Sequence, residues 1–227
     1  DSDRPGNTAV GGDNAGSLDR QRDMQGFPGA CLFPFGEKRV ILDLKVFSVC
    51  IENAAQKGVS DMLENLVIRD AEEKDVPVMY RFARELAEYE GIAGELTATE
   101  ESYREWIVHK KFARAKIAEL DGTPVGWMVY WCNFSTLMGR SGIYLQDLYV
   151  QPEYRRKGIG TAMLRYLAKR VVETGCGTLE WACLDWNAPS IRFYKALGAR
   201  AMRQWTLYRL DGEDLKRLAE NGPQGGV

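Results

Sequence analysis

The chain predicts a mixed α/β fold, a sheet covered by helices, and three observations predict it. Residues 144–161 change from an extended pattern to a helical one within a few positions. Asp121-Gly122 separates two strand-like runs, residues 112–120 and 124–132, and reads as a hairpin turn. From Leu66 onward, strand-like and helix-like segments follow one another at short intervals.

Composition narrows the class. Of 227 residues, 45% are hydrophobic and 27% charged, which suits a soluble globular protein of one generous domain or two small ones. The formal net charge is -2, and residues 62–227 carry equal numbers of acidic and basic side chains, too even for nucleic acid to be the main partner. No apolar run is long enough to span a bilayer, and the first residues lack the basic-then-apolar order of a signal peptide. The expectation is a cytoplasmic protein without a membrane partner. Five cysteines, an odd number without metal-like spacing, are expected to be small buried residues or inert thiols, and no metal site is expected.

Residues 1–30 are rich in Gly, Asp, Asn, Ser and Arg and predict disorder. Residues 31–61 hold one strand-like run, Val40 to Ile51, without a partner run beside it, so it either docks on the following domain or stays irregular. The expected organisation is an extension over 1–61, a working domain over 62–220 and a flexible tail over 221–227.

In order, Leu66 to Arg69 predicts a strand, and Asp75 can cap a helix carrying Val76, Met79, Phe82, Ala83 and Leu86 and stopping at Gly91. A second helix follows Thr99, with Tyr103, Trp106 and Ile107 on one face. After the hairpin and a loop over 133–141 comes the central strand, Tyr144 to Val150, closed by Pro152. Ile159, Ala162, Met163, Tyr166, Leu167 and Val171 then recur at helical spacing up to Gly175. Thr178 to Asp185 predicts a strand, Asn187-Ala-Pro-Ser190 a helix start, Met202 to Leu210 a last strand and Gly212 to Glu220 a tail helix.

Between the central strand and its helix lies Arg155-Arg-Lys-Gly-Ile-Gly160. A helix start leaves backbone N–H groups unpaired and carries the positive end of the macrodipole, so an anion is welcome there. Gly158 and Gly160 permit close approach to a diphosphate, and Arg155, Arg156 and Lys157 add charge. A solvated basic turn is the plainer alternative. The spacing is neither that of a Walker loop nor that of Gly-x-Gly-x-x-Gly, because Met163 stands where the last glycine would be.

Five segments, in order, resemble the GNAT superfamily of acetyl-CoA-dependent N-acetyltransferases, and within it the spermidine/spermine (diamine) branch. They are Leu86-Ala-Glu-Tyr-Glu90, Asn133-Phe-Ser-Thr136, Tyr144-Leu-Gln-Asp-Leu-Tyr-Val150, Tyr154-Arg-Arg-Lys-Gly-Ile-Gly160 and Trp186-Asn-Ala-Pro-Ser-Ile-Arg-Phe-Tyr-Lys195. The resemblance implies a mostly antiparallel sheet splayed between the fourth and fifth expected strands, with helices on both faces, and a homodimer. It implies acetyl-CoA as co-substrate, its pantetheine along the backbone of Leu148, Tyr149 and Val150. The pyrophosphate would lie on the N–H groups of Arg156, Lys157, Gly158, Ile159, Gly160 and Thr161. Asn187 and Ser190 are carried to the cofactor side, and Tyr194 to the acid that protonates the departing thiolate. A phenol holds its proton at neutral pH and can donate it, although a packed core tyrosine is the alternative. Tyr89 and Glu90 match the acceptor-binding pair, where a carboxylate suits an ammonium and the ring adds cation–π attraction.

The chain departs from the branch at Gln146, which stands where a glutamate base is usual. Glutamine takes no proton, so Asp147 acts through water or the amine arrives already neutral. The implied activity is direct acetyl transfer to a small cationic amine: a polyamine, a diamine or a lysine-like amino acid. Two alternatives are a peptide N-acetyltransferase and a non-catalytic CoA-binding module. Thiol release with amines and peptides separates them.

Overall fold

The structure, a computed structural model, describes residues 63–221 and the backbone of Val40–Ile41. Among the described residues six strands lie in one sheet in sequence order: β1 (Val40–Ile41), β2 (Leu66–Asp70), β3 (Arg114–Leu120), β4 (Thr123–Ser135), β5 (Arg140–Val150) and β6 (Leu179–Trp181). Every neighbouring pair is antiparallel except β5 and β6, which run parallel. The helices are α1 (Val76–Glu90), α2 (Glu100–Tyr103), α3 (Ile159–Glu173), α4 (Ala188–Ala196) and α5 (Gly212–Asn221). The described chain falls into two compact units, one ending at Ala182 and one beginning at Cys183.

In the first unit the pleat explains the layering. Ala115 and Ile117 of β3 join Trp127, Val129 and Tyr149 in a buried cluster with Val76, Met79, Phe82 and Ala83 of α1. Lys116, between them, turns to the other face, where its Nζ lies 5.0 Å from the centre of the Tyr166 ring of α3. One helix therefore covers each face of the sheet. Burial of Met163, Leu164 and Leu167 fixes α3 as burial of Phe82 and Met79 fixes α1.

Both ends of α1 follow from local chemistry. Asp75 sits at its start and takes two bonds from Arg69, at 2.7 and 2.9 Å, while Arg69 also reaches Glu119 at 2.5 Å. Burial raises the Asp75 pKa, but Arg69 and the Glu72 N–H outweigh it and hold the carboxyl below its ordinary range. At the other end Gly91 adopts φ +75°, which ends the helix at little steric cost. After α2, Arg104–His109 continues as a π-helix. Lys110 N–H reaches back to the Glu105 carbonyl at 2.8 Å, as that wider coil requires.

Three expectations change. Residues 133–141 are not a loop: Asn133↔Gly142 and Ser135↔Arg140 are paired, so the hairpin runs on to a short turn. Backbone ladders need no apolar side chains, which is why polar Asn133 and Ser135 hid them. The fifth expected strand, Thr178 to Asp185, shortens to Leu179–Trp181. Met202 to Leu210 forms no strand, and Trp205, Leu207 and Tyr208 are exposed. Of the strand-like run expected from Val40 to Ile51, Val40 pairs with Ile68 and Ile41 with Val67, and its other residues lie outside the described ones. The disorder expected for residues 1–30 lies outside the described residues, as does most of the tail.

Candidate active site

The central strand and its helix make the first part of the site. Gln151 N–H bonds the Val125 carbonyl at 3.0 Å, and Val150 is paired with Gly126. Antiparallel ladders alternate, so the N–H and C=O of Val150, and two residues earlier those of Leu148, point away from β4. On that outer side β6 reaches only as far as Trp181, opposite Leu145. The pairing therefore ends at Leu145, and no β6 residue stands opposite Leu148 or Val150. A strand edge of this kind offers donors and acceptors to an amide-bearing chain such as pantetheine. Gly126 permits the neighbouring close approach: a Cβ there would lie 2.6 Å from the Tyr149 carbonyl oxygen.

The phosphate side follows directly. A 3-10 turn, Pro152–Tyr154, leads to Arg156 at φ +60° and Gly158 at φ +84°, both left-handed. Such conformations cost a non-glycine residue on the order of 1–3 kcal/mol, and left-handed turns at a helix start form anion-binding nests. Within α3 the first backbone bond runs from Ala162 N–H to the Gly158 carbonyl at 2.9 Å, so Ile159, Gly160 and Thr161 have no intrahelical acceptor. A Cβ on Gly158 would meet Leu63 at 3.0 Å as well as straining the backbone. These residues fit a pyrophosphate. Lys157 holds its Nζ 5.2 Å from the Tyr154 ring centre, and Arg156 is exposed.

A second part lies on the α1 face of the sheet. Val129 pairs with Asp147 and Tyr130 with Leu145, so Gln146 is the extra residue of a β-bulge and is exposed. Asp147, two residues from buried Tyr149, shares its face. Burial, and after it the charge of Glu90, pushes the Asp147 carboxyl up to about 6. Burial likewise raises Glu90, at the last position of α1. Tyr103 completes the group: its hydroxyl is pushed up to about 12, first by burial and then by Asp147 and Tyr80. Its ring lies 5.9 Å from Trp127 and 6.3 Å from Tyr80. Glu90 and Asp147, 57 positions apart in sequence, thus come near enough for the charge of one to raise the carboxyl of the other. Nothing in the sequence marked Tyr103 as more than an apolar helix position.

Beside this lies a groove of about 420 Å³ lined by Glu85, Glu88, Tyr89, Tyr149 and Arg155, among others. The Tyr149 side chain bonds Glu85 through its hydroxyl at 2.8 Å, and burial and that bond raise its pKa to about 12. Its backbone N–H and C=O face Trp127 of β4 in the same alternation, so Leu148 and Val150, and not Tyr149, present the outer edge expected to hold pantetheine. Histidine chemistry has no place here, since His109 is exposed and paired with Glu73 at 3.1 Å.

In the second unit, Asn187 caps α4 by accepting the Ser190 N–H at 3.2 Å. Tyr194 follows on the same helix face, half-buried, its ring 5.3 Å from Phe193. The structure thus brings Asn187, Ser190 and Tyr194 together on one helix. Among the described residues no group of three His, Cys, Asp or Glu is placed to hold a metal, and no helix is long and apolar enough to cross a membrane.

Comparison with known proteins decides the family. The pattern of the Acetyltransferase (GNAT) family matches residues 76–199, more than half of the chain. This chain belongs to the GNAT acetyltransferase family. It is therefore an N-acetyltransferase. It is 37% identical over 166 residues to a thialysine N-epsilon-acetyltransferase of Bos taurus, spanning 68% of this chain and 97% of the relative. An L-ornithine N5-acetyltransferase of Arabidopsis thaliana is 35% identical over 98 residues, 43% of each chain. In fold the chain is similar to an integron cassette protein from the mobile metagenome of V. cholerae. The TM-score is 0.58 at 24% identity, covering 69% of this chain and 99% of that one.

Proposed function

We propose that this GNAT enzyme moves an acetyl group from acetyl-CoA directly to a primary amine of a small cationic acceptor, a diamine, a polyamine or a lysine-like amino acid. The observation that carries the acceptor class is the Glu90–Asp147 pair: two half-buried carboxylates, both raised by burial and Asp147 further by the charge of Glu90, a cost that a nearby ammonium would relieve. Relatives named for thialysine and ornithine, both short amino acids with a terminal amine, support the same reading.

In this reading the outer edge of β5 at Leu148 and Val150 holds the pantetheine, and the N–H groups at the start of α3 hold the pyrophosphate. A Val150 N–H stabilises the tetrahedral oxyanion. Asp147 accepts the proton of the amine, its raised pKa bringing it closer to working pH, and the exposed Gln146 of the bulge takes none. Tyr194 protonates the thiolate. Tyr89 and Glu90 orient the acceptor. We also propose the domain limits 62–220, with residues 1–61 as an extension, and a cytoplasmic homodimer.

The test is thiol release from acetyl-CoA with thialysine, lysine, ornithine, putrescine, spermidine and a peptide panel, with the product identified by mass. Turnover is expected with the small amines. Turnover with peptides alone, or none despite acetyl-CoA binding, would reject the proposal.

A further inference from the structure

Arg155 opens the basic turn before α3, yet its contacts lie elsewhere. Its Nε–H donates to the Val150 carbonyl at 2.8 Å. Its guanidinium carbon sits 4.9 Å from the centre of the Tyr89 ring and 5.5 Å from that of Tyr149. Tyr149 is tied in turn to Glu85, one turn before Tyr89 on α1. One side chain therefore joins the end of α1 to the end of the central strand.

The chemistry suits arginine alone. A planar guanidinium can lie against two rings and still donate from its edge, whereas an ammonium is a compact, strongly hydrated point charge. The carbonyl it takes is one of those on the outer edge of β5, so that edge is fixed where it approaches the helix start. One donor and the ring-facing surface of Arg155 are committed to this clamp. The backbone N–H groups of Ile159, Gly160 and Thr161 are left as phosphate donors.

We propose that Arg155 is a positioning residue for the acceptor amine. It holds Tyr89, and with it the adjacent Glu90, at a set distance from the Val150 edge along which the acetyl donor lies. The inference rests on the acceptor and cofactor assignments above, and it separates two jobs that the basic turn would otherwise merge.

The experiment compares wild type with R155K, Y89L, Y89F and the double variant Y89L/R155K. Amine KM, kcat and acetyl-CoA Kd are measured, with the melting temperature of each variant. R155K keeps the charge and loses the stack and the Nε bond. It is expected to raise amine KM roughly tenfold and to leave acetyl-CoA Kd within about twofold. Y89F, which keeps a ring under the guanidinium, should raise amine KM by less than Y89L does, and an equal rise would remove the ring stack from the positioning role. The double variant should be no worse than the poorer single one, because both break the same contact.

A tenfold loss of acetyl-CoA affinity at unchanged amine KM would overturn the proposal and return Arg155 to the phosphates. Unchanged constants would overturn it too, as would a parallel rise of both constants with a lower melting temperature and additive effects. If wild type turns over no amine, the acceptor reading itself fails and this inference falls with it. A wild type that acetylates amines and is indifferent to R155K rejects this inference alone.

Discussion

Replacing Asp147 with asparagine should make the protein more stable and less active at once. The carboxyl is displaced from the ordinary aspartate range to about 6, by burial and then by Glu90. A folded-state pKa above the unfolded one means that folding opposes ionisation. The cost is absent below the ordinary aspartate pKa, grows as pH rises towards 6, and is present in full above it. At roughly 1.4 kcal/mol per pH unit, that displacement amounts to about 2–3 kcal/mol at pH 8. Asparagine has nearly the same shape and no charge, so the variant should melt roughly 5–10 °C higher at pH 8. Near pH 4, where wild-type Asp147 is itself largely protonated, the gain should vanish.

Activity should move the other way. General-base assistance is worth on the order of a hundredfold or more, and D147N should lose about that much kcat/KM. Wild-type kcat/KM should rise with pH through about 6 before the ionisation of the amine takes over, and that acid limb should be missing in D147N. Calorimetry at pH 4 and 8 and pH-rate profiles with one amine read both halves. A variant that is less stable at pH 8 would refute the electrostatic reasoning. One that keeps the limb near 6 would remove Asp147 from the base role.

Glu90→Gln removes the like charge, so the acid limb of the pH profile should shift downward while amine KM rises; an unmoved limb would mean that the two carboxylates do not interact. Tyr194→Phe should lower kcat by roughly a hundredfold with acetyl-CoA affinity unchanged, and an unaltered kcat would return Tyr194 to a packing role. Gly158→Val places a branched side chain at φ +84° and against Leu63. It should weaken acetyl-CoA binding by roughly five- to a hundredfold, the equivalent of about 1–3 kcal/mol of backbone strain, and calorimetric titration would show intact affinity if the cradle is misassigned.

What could be read from the residues was what sequence neighbours decide. Asp121-Gly122 announced its hairpin because both turn residues take positive φ, and Gly91 announced the end of α1 for the same reason. The Asn187 cap and the glycine turn before α3 were equally local. Features set across the sheet stayed hidden. The bulge at Gln146 exists because Asp147 and Leu145 face adjacent residues of β4, a register no pattern within β5 reveals. Arg155 read as phosphate charge because its rings, Tyr89 and Tyr149, are brought to it only by folding. Met202 to Leu210 shows the converse limit: alternating apolar residues describe a pleat, but a strand also needs a partner edge.

The account turns on where the acetyl donor lies. Amide hydrogen exchange, followed with and without acetyl-CoA, tests that residue by residue. Slowed exchange at Leu148 and Val150, and from Arg156 to Thr161, is the predicted footprint. Saturating acetyl-CoA that leaves both stretches unprotected, or protects a different strand edge and helix start, would contradict it.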